Sequence, residues 1–254
     1  MIRSFFCALL ALWLLTQSAF AEEPQRLPDC TTIEQVEALV RYPAEGALPV
    51  EVERGKIRYI SQGIRHEPDF CDAYWIGGEP GSELDLTLEK DSRNRPYDYF
   101  AGNMCTRAAY SMALSYLGVD MTPGQMSALL GKRDIPMHYD RVTKLLPEIE
   151  RVTFKSHIFR RMFEAYQTDD NYSPVYVYIQ RPEGTYHSML VVAQQEDGQY
   201  IVVDSKYHEI DGEIIRIYRL RFNKQFKGIL SSDFHREQTG SKIIGFYQWR
   251  LLEE

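Results

Sequence analysis

The stretch Tyr186-His187-Ser188-Met189-Leu190-Val191-Val192-Ala193, followed after Gln194-Gln195-Glu196-Asp197-Gly198-Gln199 by Tyr200-Ile201-Val202-Val203-Asp204, decides how this chain is read. Both runs are rich in β-branched and aromatic residues and are bounded by polar, turn-forming ones, so they read as two antiparallel strands of a hairpin. A four-residue loop from Gln195 to Gly198, with Gly198 left-handed, pairs Gln194 with Gln199 and sets Asp204 opposite Met189. Met189 and His187 share a face, so His187 and Asp204 become diagonal neighbours about 7 to 8 Å apart at the backbone, within side-chain reach. A two-residue turn at Asp197-Gly198 would instead leave them roughly 13 Å apart on the same face.

Outward from this hairpin, Val175 to Ile179, Glu213 to Arg221 and Lys242 to Trp249 have the same strand character. The chain before Ser173 has helical spacing. Ala108, Ala109, Met112, Ala113, Tyr116 and Leu117 recur as one helix that Gly118 would stop in a left-handed turn. A second helix is predicted from Thr122 to Gly131, with Thr122 and Gln125 as a capping box and Pro123 at its first position. Further helical pieces are predicted near Tyr139 to Leu146 and Arg160 to Gln167. Helices followed by strands mean an α+β fold. Residues 22–97 are irregular, with a short helical stretch near Thr32 to Val40 and an alternating one near Val50 to Ile60, and read as an N-terminal extension wrapped on a core in residues 98–254.

Residues 1–21 read as a signal peptide. Arg3 precedes the apolar run Phe5 to Leu15, and Ala19-Phe20-Ala21 has the small-x-small pattern of a cleavage site, so the product is expected to be exported to a periplasm or secreted, without stable membrane insertion. A retained anchor is the alternative. The 254 residues are 44% hydrophobic and 26% charged, with 29 Lys and Arg against 36 Asp and Glu, and the net charge of −7 gives no electrostatic reason to bind nucleic acid. No Cys-x-x-Cys, His-Glu-x-x-His, EF-hand, Walker or Gly-x-Gly-x-x-Gly pattern occurs, so no metal or cofactor is implied.

Of the cysteines Cys7, Cys30, Cys71 and Cys105, the first leaves with the signal, so an odd number remains in an oxidising compartment. Cys30 and Cys71 lie in polar, loop-like surroundings and are the expected disulfide; three free, buried thiols are the alternative. Cys105 differs. With Asn103 as N-cap it sits in the first turn of the helix, where unpaired backbone N–H groups and the helix dipole favour an anion.

The order Cys105, His187, Asp204 makes the chain resemble the papain-like cysteine peptidases, and most closely the double-glycine leader (C39-like) branch. Gly102 to Gly118 is similar to that family's nucleophile helix, Val119 to Gly131 to the helix after it, and Pro174 to Tyr178, Tyr186 to Val192 and Tyr200 to Asp204 to its histidine and aspartate strands. The match covers about Phe100 to Tyr207. The resemblance implies a papain-like fold, Cys105 as nucleophile, His187 as base and Asp204 as the residue orienting it, with a peptide or related amide as substrate and no cofactor. Two positions depart from the family pattern. Thr106-Arg107 replaces Gly-Pro or Gly-Ala after the cysteine, and Tyr99 stands where a glutamine donates to the oxyanion, leaving the Tyr99 phenol as the candidate donor. The expected function is therefore an exported thiol hydrolase. An inactive binding or scaffold relative and a phytochelatin synthase-like peptidyltransferase are its alternatives.

Overall fold

The structure, a computed structural model, describes residues 25–42, 51–60, 105–121, 146–154, 158–210, 213–233 and 238–252. Among these the chain is a mixed α+β protein in which three α-helices, α1 (Ile33–Leu39), α2 (Cys105–Tyr116) and α3 (Phe159–Thr168), accompany one large sheet. That sheet has seven strands: β3 (Ile149–Phe154), β4 (Val175–Gln180), β5 (Tyr186–Gln194), β6 (Tyr200–Ile210), β7 (Glu213–Phe222), β8 (Ile229–Ser232) and β9 (Lys242–Leu251). They run in the order β3-β9-β4-β5-β6-β7-β8, with every pair antiparallel. A small parallel pair, β1 (Val40–Arg41) and β2 (Ile57–Arg58), lies in the N-terminal segment.

Strands β4 to β7 and β9 are the five that the sequence predicts; the two at the edges, β3 and β8, are additional. Strand β3 carries Glu150 and Arg151 and β8 has four residues, so neither has the apolar run that marks the interior strands. The predicted helix at Thr122 to Gly131 lies outside the described residues, as does the one near Tyr139 to Leu146 apart from Leu146 itself.

Helix α2 is buried on every side except Thr106 and packs against β5, β4, β6, β9 and β2. Its small residues Ala108, Ala109, Ser111, Ala113 and Ser115 allow that close approach. Helix α3 buries one stripe, Phe159, Met162, Phe163 and Tyr166, at the spacing of a half-exposed helix. Phe159 anchors an aromatic cluster with Tyr200, Phe222, Phe226 and Phe246, at ring-centroid distances of 4.6 to 5.4 Å.

The N-terminal segment shares this core, with Leu27, Cys30, Val36, Ile57 and Tyr59 all buried in it. Helix α1 starts at a capping box: Thr32 Oγ1 accepts from Gln35 N at 3.3 Å, and Gln35 Oε1 accepts from Thr32 N at 3.1 Å. The segment also closes the far end of α2. Gly55 N donates to the Tyr116 carbonyl at 2.9 Å, and Arg58 N to Ser115 Oγ at 3.0 Å. Among the described residues no helix is long and apolar enough to cross a membrane.

Gly118 ends α2 as its sequence position predicts. It has φ of +84°, Gly118 N donates to Ser115 O at 3.0 Å, and Val119 N donates to Leu114 O at 3.1 Å, which together make a Schellman motif. A Cβ here would meet Arg54 Cβ at an ordinary van der Waals distance of 3.5 Å, which leaves conformation as the main issue. Gly118→Ala is therefore expected to destabilise the fold by roughly 1 to 2 kcal/mol, the cost of a left-handed L-residue. Denaturant unfolding measures it, and an unchanged midpoint would contradict the assignment.

Candidate active site

Cys105 is the first residue of α2 and is 7% exposed, while His187 is the second residue of β5, paired with Ile179 of β4 and 2% exposed. Asp204 is completely buried in β6. The structure brings these three predicted residues together. His187 Nε2 lies 2.8 Å from both Asp204 Oδ1 and Asp204 Oδ2. Cys105 lies near enough to the same ring to raise its proton affinity. With Nε2 held by Asp204, Nδ1 is the ring nitrogen left for a thiol partner.

The hairpin reaches this geometry by a different route from the one its sequence suggests. The pairing is Gln194 with Tyr200 and Ala193 with Ile201, one residue later than expected, because the loop is Glu196-Asp197-Gly198 with Gln195 N donating to Gln199 O at 2.8 Å. Gly198 does take the left-handed position, at φ +79°. A bulge at Val192 then absorbs the extra residue and restores Val191 opposite Val202 and Leu190 opposite Val203. That register sets Asp204 towards Met189, as expected.

A second irregularity finishes the site. In the β6–β7 ladder Val203 pairs with Ile217, but the next pair is His208 with Ile215, so Asp204 to Tyr207 oppose Arg216 alone. Asp204 leaves the ladder and its carboxylate turns back on the chain, where Oδ1 accepts from Lys206 N at 2.9 Å. Oδ2 accepts from the Tyr218 hydroxyl at 2.7 Å. The Tyr59 hydroxyl donates to the Asp204 carbonyl at 3.0 Å and lies 3.3 Å from that of Ser205. Tyr218 and Tyr59 carry no signal in the sequence. Tyr218 alternates with Leu220 and Phe222 on the buried face of β7 and reads as a core aromatic, and Tyr59, in the alternating stretch near Val50 to Ile60, reads as one more buried strand residue.

Electrostatically the pair is self-consistent. Burial alone would lower the proton affinity of His187, but the Asp204 charge and hydrogen bonds with Asp204 and Cys105 outweigh it and push the ring's pKa up to about 9. Burial would likewise raise Asp204; the His187 charge and the donors His187, Tyr218 and Lys206 N overcome it and take the carboxyl down to about 2. Stability from the raised histidine is complete below its unfolded pKa of about 6.5 and is lost as pH rises through about 9. The lowered carboxyl contributes above about 3.9 and loses its effect as pH falls through about 2.

The remaining candidates separate. Arg107 is buried at 2% exposure and Thr106 is half-buried. Cys30, expected in a bridge, carries a free thiol in the structure; it is buried, its Sγ lies 3.4 Å from the Arg26 carbonyl, and burial pushes its pKa up to about 11. Its expected partner Cys71 lies outside the described residues, as do the candidate oxyanion donor Tyr99 and the helix cap Asn103. No group of three His, Cys, Asp or Glu side chains among the described residues could hold a metal ion. No family model matches the chain, and comparison with curated proteins returns no match.

Asp204→Asn removes the charge that opposes burial at His187. The ring's pKa is then expected to fall from about 9 to below its ordinary value near 6.5, read by NMR titration of the imidazole C–H signals with His187→Ala as the assignment control. A His187 that titrates unchanged in this variant would mean that Asp204 does not govern it.

Proposed function

We propose that this chain is an exported papain-like thiol hydrolase that cleaves a peptide or related amide bond by acyl transfer through Cys105. One observation carries the reading: a single buried imidazole is held by a carboxylate at Nε2 and has its proton affinity raised by a cysteine at the start of a helix. Nucleophile, base and orienting group thus occur in the order that such chemistry requires.

The geometry supports the following sequence of steps. Asp204 accepts from Nε2–H, so the ring exchanges its second proton at Nδ1. With its proton affinity raised, Nδ1 takes and keeps the thiol proton before substrate arrives, and the sulfur then forms a bond to the substrate carbonyl carbon. The backbone N–H of Cys105, in the first turn of α2 and without an intrahelical acceptor, is available to the oxyanion, and Tyr99 is the proposed second donor. Collapse of the tetrahedral adduct breaks the carbon–nitrogen bond as Nδ1–H protonates the leaving amine. Water, deprotonated at Nδ1, then attacks the thioester; the acid departs and leaves the thiolate beside the protonated ring.

Transfer of the acyl group to an amine in place of water would make the same site a peptidyltransferase. A binding protein without turnover is the reading that Tyr99, Thr106 and Arg107 suggest from the sequence, since a changed oxyanion donor and bulk beside the thiol would both oppose turnover.

Iodoacetamide labelling of the native protein at about pH 6 tests the proposal without a known substrate. Cys105 is expected to react faster than a free cysteine, and His187→Ala is expected to slow it at least ten-fold, the scale of a single general-base contribution being about 10²- to 10⁴-fold. Cys30 is the internal reference, expected to label only on unfolding, and only after reduction if it is bridged to Cys71. Labelling of Cys105 no faster than a free thiol, or indifferent to His187, would defeat the reading.

A further inference from the structure

The buried phenol beneath Asp204 has a role that packing does not explain. Tyr218 is fully buried in β7 opposite Val202, in a row with Val191 of β5. Asp204 follows Val202 by two residues on the same strand, so the Tyr218 ring reaches it diagonally once the β6 bulge has removed the residue that would face Asp204. A phenylalanine would fill this space without burying a hydroxyl.

The direction of the Tyr218 hydrogen bond is set by its acceptors. A phenol has one proton. Asp204 Oδ2 lies at 2.7 Å and Met189 Sδ at 3.7 Å, and a carboxylate accepts far more strongly than a thioether, so the proton goes to Oδ2. Burial and the Asp204 charge keep the Tyr218 pKa well above its ordinary value, so it remains a donor.

We infer that Tyr218 is a positioning residue of this site: its hydroxyl, donated to Oδ2 across the diagonal, holds the Asp204 carboxylate against the His187 ring. This inference rests on the thiol-hydrolase reading. Donors then converge on the carboxylate from both sides, Lys206 N at Oδ1 and Tyr218 at Oδ2, and the carboxylate cannot rotate away from Nε2 without breaking one of them.

Tyr218→Phe keeps the ring and removes only the hydroxyl. Two measurements read it: the low-field proton resonance of His187 Nε2–H, assigned by its loss in His187→Ala, and the alkylation rate of Cys105 at pH 7. With the fold intact by circular dichroism, the resonance is expected to move downfield, because a carboxylate relieved of one donor accepts more strongly from the others, or to vanish through exchange. Alkylation should slow about ten-fold, the scale of one hydrogen bond to a charged group. Site-specific 3-fluorotyrosine at 218 keeps the shape and donates more strongly, so it should move the resonance upfield, a sign reversal that a packing role does not produce. If Tyr218→Phe does not fold, the fluorinated protein decides alone, and an unmoved resonance there overturns the inference. Wild-type values in a folded Tyr218→Phe protein overturn it too, while leaving the hydrolase reading intact. Cys105 alkylation that is indifferent to His187 in the wild-type protein defeats the hydrolase reading itself.

Discussion

Taking the His187–Asp204 pair out of water sets the terms for everything around it. Desolvating two ions costs several kcal/mol each even after the protein relaxes, and their attraction offsets that only when the remaining hydrogen-bonding capacity is also met. At 2% and 0% exposure no water-facing edge remains to meet it. Asp204 therefore needs donors on both oxygens, and it has them in His187 Nε2, Tyr218 and Lys206 N. The last two depend on the β6 bulge, which lifts Asp204 out of the ladder, bends the chain so that Lys206 N faces its carboxylate, and opens the diagonal to Tyr218.

The bulge creates a debt of its own, because carbonyls that leave a ladder must find other donors. Tyr59, from the N-terminal segment, supplies one to Asp204 and Ser205. Arg216, the β7 residue spanned by the bulge, stacks its guanidinium over Tyr42 and Tyr59, at 4.9 and 5.3 Å from their ring centroids. So the irregularity that aims the carboxylate also aims the arginine that holds the tyrosine capping its backbone. The same segment closes the C-terminal end of α2 through Gly55 and Arg58. The N-terminal segment thus braces both the backbone around Asp204 and the far end of the helix that Cys105 begins.

How much of this could be read from residue order follows from which side chains announce their environment. Strands β4 to β7 and β9 are legible because buried antiparallel strands concentrate Val, Ile and Tyr, and the end of α2 is legible because a glycine stands where φ is positive. The register is legible only in outcome. Met189 to Ala193 is apolar on both faces, so its pattern cannot reveal the bulge at Val192, and that unseen bulge cancels the one-residue difference in the loop. Tyr218 and Tyr59 act through single hydroxyls at positions where an aromatic ring is already explained by burial. Their part appears only when strand pairing shows what lies diagonally across from Asp204.

The consequence for proton movement is directional. With both oxygens of Asp204 engaged by donors, the carboxylate is an acceptor only, and His187 Nε2 must carry its proton towards it. Nδ1 is then the one ring nitrogen whose protonation can change, and Cys105 is near enough to raise the ring's proton affinity. Raising the proton affinity of the ring through Asp204 therefore acts at a single place, the Nδ1 face. A carboxylate free to take the proton itself would divide that effect between two sites, and the donors that Tyr218 and Lys206 N direct at Asp204 prevent it.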